Sequence, residues 1–174
     1  MRWNRQGLAL ALVLGSLATG CGEPAVPPVE KRTVHDVDRG IHFVVPPRWT
    51  YLGEEVLSPS GSIFFIEIIS LEDADPAFVK DLPESIVQQL EARTRYFFGV
   101  VLDPVREKVT VGGEPGLRVT FPVRVRSTDP PSEVVYWVVK FGGNLYALRA
   151  TYPAGFASKD SPAVAEIIAS WQFV

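Results

Sequence analysis

The chain carries a single cysteine, Cys21, in 174 residues. An intrachain disulfide and a multi-cysteine metal centre are therefore both excluded. Histidine is almost as scarce, with only His35 and His42 present. The formal charge is small and negative, −3 at pH 7. That excludes the broad basic footprint of a nucleic-acid protein, and no nucleic-acid partner is expected. No apolar run reaches the roughly 20 residues that a spanning helix needs. Also absent are G-x-S-x-G, a Walker loop, G-x-G-x-x-G and H-E-x-x-H. What is present is the composition of a folded domain. The chain is 47% hydrophobic and 21% charged, with 15 Pro and 14 Gly, which excludes disorder, collagen and a coiled coil. A single domain of about 150 residues can bury roughly 70% of its unfolded surface, so it needs no disulfide or metal staple.

The amino terminus reads as an address. Arg2 and Arg5 form a positive start, and Leu8 to Leu17 is an apolar stretch of secretory length. Leu17-Ala18-Thr19-Gly20-Cys21 then resembles a bacterial lipobox, with Ala18 standing where Leu is commonest. The resemblance implies cleavage before Cys21 and lipidation of its thiol and amine. More than one acyl chain makes anchoring stable, because each buried methylene adds about 0.8 kcal/mol. The alternative is ordinary cleavage near Gly20, which would leave an odd thiol in an exported chain. Removal of residues 1–20 takes Arg2 and Arg5 with it and leaves 15 basic against 20 acidic residues, a charge of −5. Gly22 carries no aspartate retention signal. The anchor is thus expected in the inner leaflet of an outer membrane or on the outer face of a plasma membrane.

Residues 21–34 read as the lipidated cysteine and a tether containing Pro24, Pro27 and Pro28, and residues 35–174 as the folded domain. Strand periodicity begins near residue 41. Expected strands are Ile41 to Val45, Leu52 to Ser58 and the nearly continuous apolar run Ile63 to Leu71. Asp75-Pro76 and Asp81-Leu82-Pro83 are helix-start signals. They predict a helix over about 83–97 with Ile86, Leu90 and Phe97 near one face and Val87 and Phe98 beside it. Val105 to Val111 leads into Gly112-Gly113, a hairpin signal. The alternation of Leu117, Val119, Phe121, Val123 and Val125 against Arg118, Thr120, Pro122, Arg124 and Arg126 predicts a two-faced strand. Pro122 points to an edge or a bulge. Glu133 to Phe141 and Leu145 to Tyr152 flank a second hairpin signal, and Ser161-Pro162 is expected to start a final helix. The order βββ–α–ββββ–α implies an α+β fold, an antiparallel sheet of about six or seven strands flanked by helices.

Gly40, Phe43, Pro47-Arg48-Trp49, the segment VTVGGEPGLRVTF (109–121), the hairpin GNLYALRATYP (143–153) and the closing Ser170-Trp171-Gln172-Phe173 together resemble the PsbP-like fold superfamily. Its members include extrinsic proteins of photosystem II, a small nuclear-transport factor and many bacterial envelope lipoproteins. The resemblance covers about residues 40–174. It implies an antiparallel sheet flanked by helices and, in general, no hydrolytic site. No residue-level motif for manganese, calcium or Ran binding accompanies it, and family members do unrelated jobs.

The chemistry-bearing residues are few. His35-Asp36-Val37-Asp38 could offer ligands to zinc or be a solvated linker end, and zinc needs three or four converging ligands. Glu72-Asp73-Ala74-Asp75 reads as a calcium-like cluster or as a turn before a helix, without an EF-hand ladder. Glu67 interrupts the strand IFFIEIIS, where a carboxylate can act as an acid, pair with an arginine from a neighbouring strand or sit at a wet margin. Arg118, Arg124 and Arg126 line one strand face, and Arg149 and Lys140 join them if the register allows. Such a strip would suit an acidic partner, a phosphate or an anionic lipid, or would be a solvated sheet face with scattered partners such as Glu133. Trp49, Trp137 and Trp171 read as core residues rather than a sugar-stacking trio. No cofactor, metal or catalytic residue is expected. The sequence therefore points to a non-enzymatic, lipid-anchored envelope protein that binds or assembles through contact with an unknown envelope partner. The alternatives are an envelope enzyme with an unrecognised site and a photosystem II accessory.

Overall fold

The computed structural model describes residues 30–72, 74, 82–124 and 132–174. Five strands come first: β1 (Arg32–Asp36), β2 (Ile41–Val45), β3 (Thr50–Tyr51), β4 (Glu55–Leu57) and β5 (Ile63–Ser70). Helix α1 (Leu82–Phe98) follows, then β6 (Val100–Val101), β7 (Val105–Val111), β8 (Glu114–Arg124), β9 (Ser132–Phe141) and β10 (Asn144–Thr151). Helix α2 (Ala157–Ala169) and β11 (Gln172–Phe173) close the chain. The fold is α+β with antiparallel sheets, and it has more strands than the six or seven expected.

Three layers result. An eight-stranded sheet runs β3-β4-β5-β10-β9-β8-β6, with β7 also paired to β8. On one face lie α2 and a small sheet in the order β1-β2-β11. There Ile41, Phe43 and Val45 meet Phe64, Ile66, Trp137 and Leu148 of the large sheet, with Val164, Ile167 and Trp171 beside them. On the other face α1 buries Ile86, Val87 and Leu90 against Val119, Phe121, Tyr136, Val138 and Leu145. The apolar run of β5 is explained by these two cores. Phe64 and Ile66 serve the first, and Ile69 packs against the second.

The differences from expectation have local causes. Folded structure starts at Arg32 rather than residue 35, because β1 pairs along all of β2 and Val34 is buried opposite Phe43. Residue 34 therefore belongs to the domain and not to the tether. Pro122 is neither at an outer edge nor in a bulge. Its unavailable N–H falls in the gap between β7 and β6, which share one side of β8, and its carbonyl accepts the N–H of Leu102 at 2.9 Å. The last helix begins at Ala157, so Ser161-Pro162 lies inside it. Phe97 is 61% exposed and packs edge-on against the exposed Tyr96, while Phe98 takes the inward place. Both double-glycine turns form as expected. In the first, Gly112 has φ 59°, and a Cβ there would stand 2.8 Å from the Phe173 ring. The resembling segment therefore needs glycine for backbone shape and for the close approach of the chain terminus. Asp73, Asp75-Pro76, Asp81, Val125 and Arg126 lie outside the described residues, as does everything before residue 30.

Candidate functional site

Glu67 sits midway along β5, cross-strand from Ala147 on β10, on the face that α1 covers. Its partner comes from the helix and not from a strand. Arg93 of α1 donates from a guanidinium nitrogen to the Glu67 carboxylate, and both side chains are part-buried. β4 covers only Ile63 to Phe65 of the neighbouring strand, so the side of β5 around Glu67 opens into a cleft of about 420 Å³. Asp38 and Arg39, from the β1–β2 turn, form its other wall.

Arg39 is held from several directions. It donates to the Glu54 carboxylate at 2.9 Å and to the Gly53 carbonyl, while its own carbonyl accepts the Tyr146 hydroxyl at 3.2 Å. Its Nε lies 3.9 Å from the Asp36 carboxylate. Tyr51 donates to the same carboxylate at 2.7 Å. Burial and then the hydrogen bond and charge of Asp36 push the Tyr51 hydroxyl up to about 12. The cleft therefore pairs acids with bases. A charge already neutralised by a neighbour is suited to holding shape or exchanging partners. Activation of a nucleophile needs an adjacent base within reach.

The arginine strip is only partly assembled. Arg118 and Arg124 share the β8 face that looks toward α2 and the small sheet, opposite Leu117 and Val119. Arg118 is paired to Glu107 at 2.8 Å and lies 5.8 Å over the Trp137 ring. Arg124 closes β8 opposite Val100. Arg126 lies outside the described residues. Register separates the other two cations from the strip. Arg149 pairs with Tyr136 and Phe65, and Lys140 with Leu145, which puts both on the α1 face. Arg149 packs over Phe65 and Phe98, 4.9 Å and 5.9 Å from their centroids.

The two histidines face each other across β1 and β2 with ring centroids 4.0 Å apart. Asp36 points instead to Tyr51 and Arg39. Among the described residues no group of three or more His, Cys, Asp or Glu could hold a metal ion. Trp137 and Trp171 are core residues, and Trp49 packs against the same cluster. No described helix is long and apolar enough to cross a membrane.

Asp160 escapes the sequence reading altogether. It is 5% exposed in the first turn of α2 and accepts hydrogen bonds from the hydroxyls of Ser58, Ser60 and Ser62. Burial raises its pKa, but the three hydroxyls and the charge of Lys159 outweigh this and hold it below its ordinary value. The alternate serines of Ser58-Pro59-Ser60-Gly61-Ser62 are its only sequence signal, and they read there as a turn.

No family model matches the chain, and no curated protein matches it by sequence. Similarity appears among solved structures. The chain resembles the solution structure of cyanobacterial PsbP (CyanoP) from Synechocystis sp. PCC 6803 with a TM-score of 0.59 at 11% identity, over 87% of this chain and 96% of that one. It also resembles the crystal structure of LpqN, involved in cell envelope biogenesis of Mycobacterium tuberculosis. The TM-score there is 0.56 at 16% identity, over 83% of this chain and 91% of LpqN. Identities this low carry the fold alone, and the chain folds as a PsbP-like α+β domain.

Proposed function

We propose that the chain is a non-enzymatic, lipid-anchored cell-envelope protein that works by contact, as a binding or assembly module. The observation that carries this reading is the short distance between the lipobox and the fold. Ten residues, 22–31, separate Cys21 from the first residue of β1. An extended proline-rich segment of that length reaches about 30 Å, so the domain would ride close to the membrane surface. The similarity to a protein of mycobacterial envelope biogenesis supports an envelope setting. Salt-bridged Glu67 supports a structural role for the carboxylate midway along β5. The contact face is the set of arginines Arg118 and Arg124 of β8 together with Arg126, which follows two residues beyond the strand in sequence. Arg118 is already committed to Glu107, so Arg124 and Arg126 carry the recognition of an acidic surface.

The test is fractionation and crosslinking in intact envelopes. Cys21→Ser should be exported yet leave the membrane pellet after a high-salt wash, and retention there overturns the anchor. Arg124→Glu with Arg126→Glu should erase an envelope crosslink in a protein that still folds. An unaltered crosslink removes the strip, and a turnover abolished by Glu67→Gln overturns the non-enzymatic reading.

A further inference from the structure

Among the described residues, the exposed large apolar side chains are not spread evenly. Tyr96, Phe97, Val100, Leu102 and Val105 fall within ten consecutive positions and are 41% to 84% exposed. The others, Val37, Leu52, Phe156 and Val174, stand singly in the chain. Single exposed apolar residues are ordinary on a folded surface, whereas a cluster marks a surface that something apolar covers. The fold makes this cluster. Helix α1 ends on Tyr96-Phe97-Phe98, and Phe98 alone of the three reaches the core. Tyr96 and Phe97 pack edge-on against each other outside it, with centroids 5.0 Å apart. Gly99, at φ 95°, turns the chain into β6, which packs against the helix end.

Val101 packs into the α1 core, so Val100 takes the opposite face, where its cross-strand partner is Arg124. Val105 shares that face through its partner Thr120. β6 and the start of β7 both lie on the outer side of β8, at the border of the large sheet. The cluster therefore wraps one rim of the domain, from the end of α1 to the edge strands. Asp103 is the one charged residue within positions 96–105. Arg95 and Arg106 flank the stretch in sequence, and Arg124 borders it from β8. An apolar rim with a basic border is the composition of a surface that sits in a membrane interface.

The chain outside the described residues points to the occupant. Under the anchoring proposed above, on which this inference rests, residues 22–31 tie the domain to a bilayer within about 30 Å. A domain of this size has a radius of gyration of about 15 Å, so a tether of that reach lets it turn on its anchor. We propose that the rim patch rests in the headgroup region of the anionic bilayer that holds the anchor, and so sets the orientation of the domain. Phe97, Val100 and Leu102 enter the interface, the Tyr96 hydroxyl stays among the headgroups, and Arg124 meets lipid phosphates. Tethering gives the surface an effective concentration of about millimolar. A contact too weak to hold a free protein through a salt wash therefore still orients an anchored one.

Site-specific fluorescence on vesicles tests the proposal. Residues 21–174 carrying Cys21→Ser contain no cysteine and no anchor, so a single new cysteine can carry a polarity-sensitive fluorophore. The vesicles are phosphatidylcholine with about one-third phosphatidylglycerol. Emission should shift to the blue for labels at Phe97→Cys and Leu102→Cys, and stay unchanged at Val37→Cys, an exposed apolar residue of the β1–β2 turn. In the unlabelled chain, Phe97→Ser with Leu102→Ser should keep the circular dichroism spectrum and weaken cosedimentation with the vesicles about tenfold. Silence at Phe97 and Leu102, an equal shift at Val37, or unchanged cosedimentation of the double variant overturns the proposal. Equal binding to phosphatidylcholine alone would overturn the part given to Arg124. A blue shift that grows with protein concentration without vesicles would mean that a second copy covers the patch, and would overturn the proposal equally. The anchor is judged by fractionation of Cys21→Ser in cells, so failure of one reading is told apart from failure of the other.

Discussion

Trp171 lies flat against Phe43, with ring centroids 5.1 Å apart and planes 13° from parallel. Trp171 immediately follows α2 and its C-cap Ser170, and Phe43 is the middle residue of β2. The stacked pair thus fastens the end of the chain to the small sheet. Phe64 of the large sheet approaches Trp171 at 6.4 Å and ties the pair to the central layer. A second link reinforces it: the Ser170 hydroxyl accepts the N–H of Val44 at 2.9 Å. Offset aromatic packing adds about 0.5–1.5 kcal/mol beyond the area it buries.

Trp171→Ala should destabilise the domain by about 3–5 kcal/mol, the cost of emptying a large aromatic core site. Trp171→Phe should cost clearly less, because phenylalanine keeps an aromatic ring in the site, and the indole N–H that both variants remove is buried without a partner. Denaturant midpoints check both. Equal losses in the two variants would show that a phenyl ring does not restore the stacking on Phe43.

Tryptophan positions, both hairpins and the two helix cores are readable from the chain because periodicity and glycine pairs are local signals. Val105–Val111 emerges with the boundaries expected, bounded by Pro104 and Gly112. What escapes is whatever depends on a distant partner. β1 looks like tether until β2 pairs with it, and β11 has only two residues. The faces of Arg149 and Lys140 depend on register, which a sequence leaves open. Arg93 reaches Glu67 from a helix 26 positions away. Phe97 and Phe98 both fit the helical stripe, and only the packing of α1 on the sheet chooses between them.

Arg48 has φ 68°, in the left-handed region, and the Trp49 N–H donates to the Pro46 carbonyl at 3.1 Å. Pro47 at the second position and positive φ at the third match a type II turn, where glycine is favoured. Arg48→Gly should therefore stabilise the domain by about 0.5–1 kcal/mol, the relief of strain outweighing the added flexibility of the unfolded chain. A lower midpoint would show that the Arg48 side chain makes contacts worth more than the strain.

The Glu67–Arg93 pair is part-buried, with side chains 27% and 37% exposed. A double-mutant cycle with Glu67→Gln and Arg93→Gln should give a coupling of about 0.2–1 kcal/mol that shrinks in high salt. A coupling near zero would show that the two charges do not hold α1 to β5.

Tyr152 is 8% exposed, and burial pushes its hydroxyl up to about 12, with the Arg118 charge opposing and Glu133 and Asp160 assisting. Tyr51 is raised to about 12 as well. A folded pKa above the unfolded value of 10.0 means stability that is complete below pH 10 and lost as pH rises toward 12. Burial raises Tyr146 as well, so tyrosinate absorbance should show three late-titrating groups, and Tyr51→Phe should remove one of them. Normal titration of all tyrosines in the folded protein would contradict this.

Asp160 sets the acid limit. Its folded pKa lies below the ordinary 3.8, so its contribution is present above that value and lost as pH falls through the lower folded value. Three serine hydroxyls of the β4–β5 turn converge on one carboxylate oxygen in the first turn of α2. The Ser58 hydroxyl also accepts the N–H of Ser62 at 2.8 Å, which shapes the turn around the acid. Asp160→Asn keeps the shape but replaces the charge-assisted acceptor, and should cost about 1–3 kcal/mol at neutral pH. The deficit should narrow as the wild-type carboxylate protonates, and the two proteins should converge once the pH falls below the lowered folded pKa. Unfolding midpoints measured across the acid range decide the matter. A deficit that stays constant from neutral to acid pH would show that the serine cage binds the side chain by shape and not by charge.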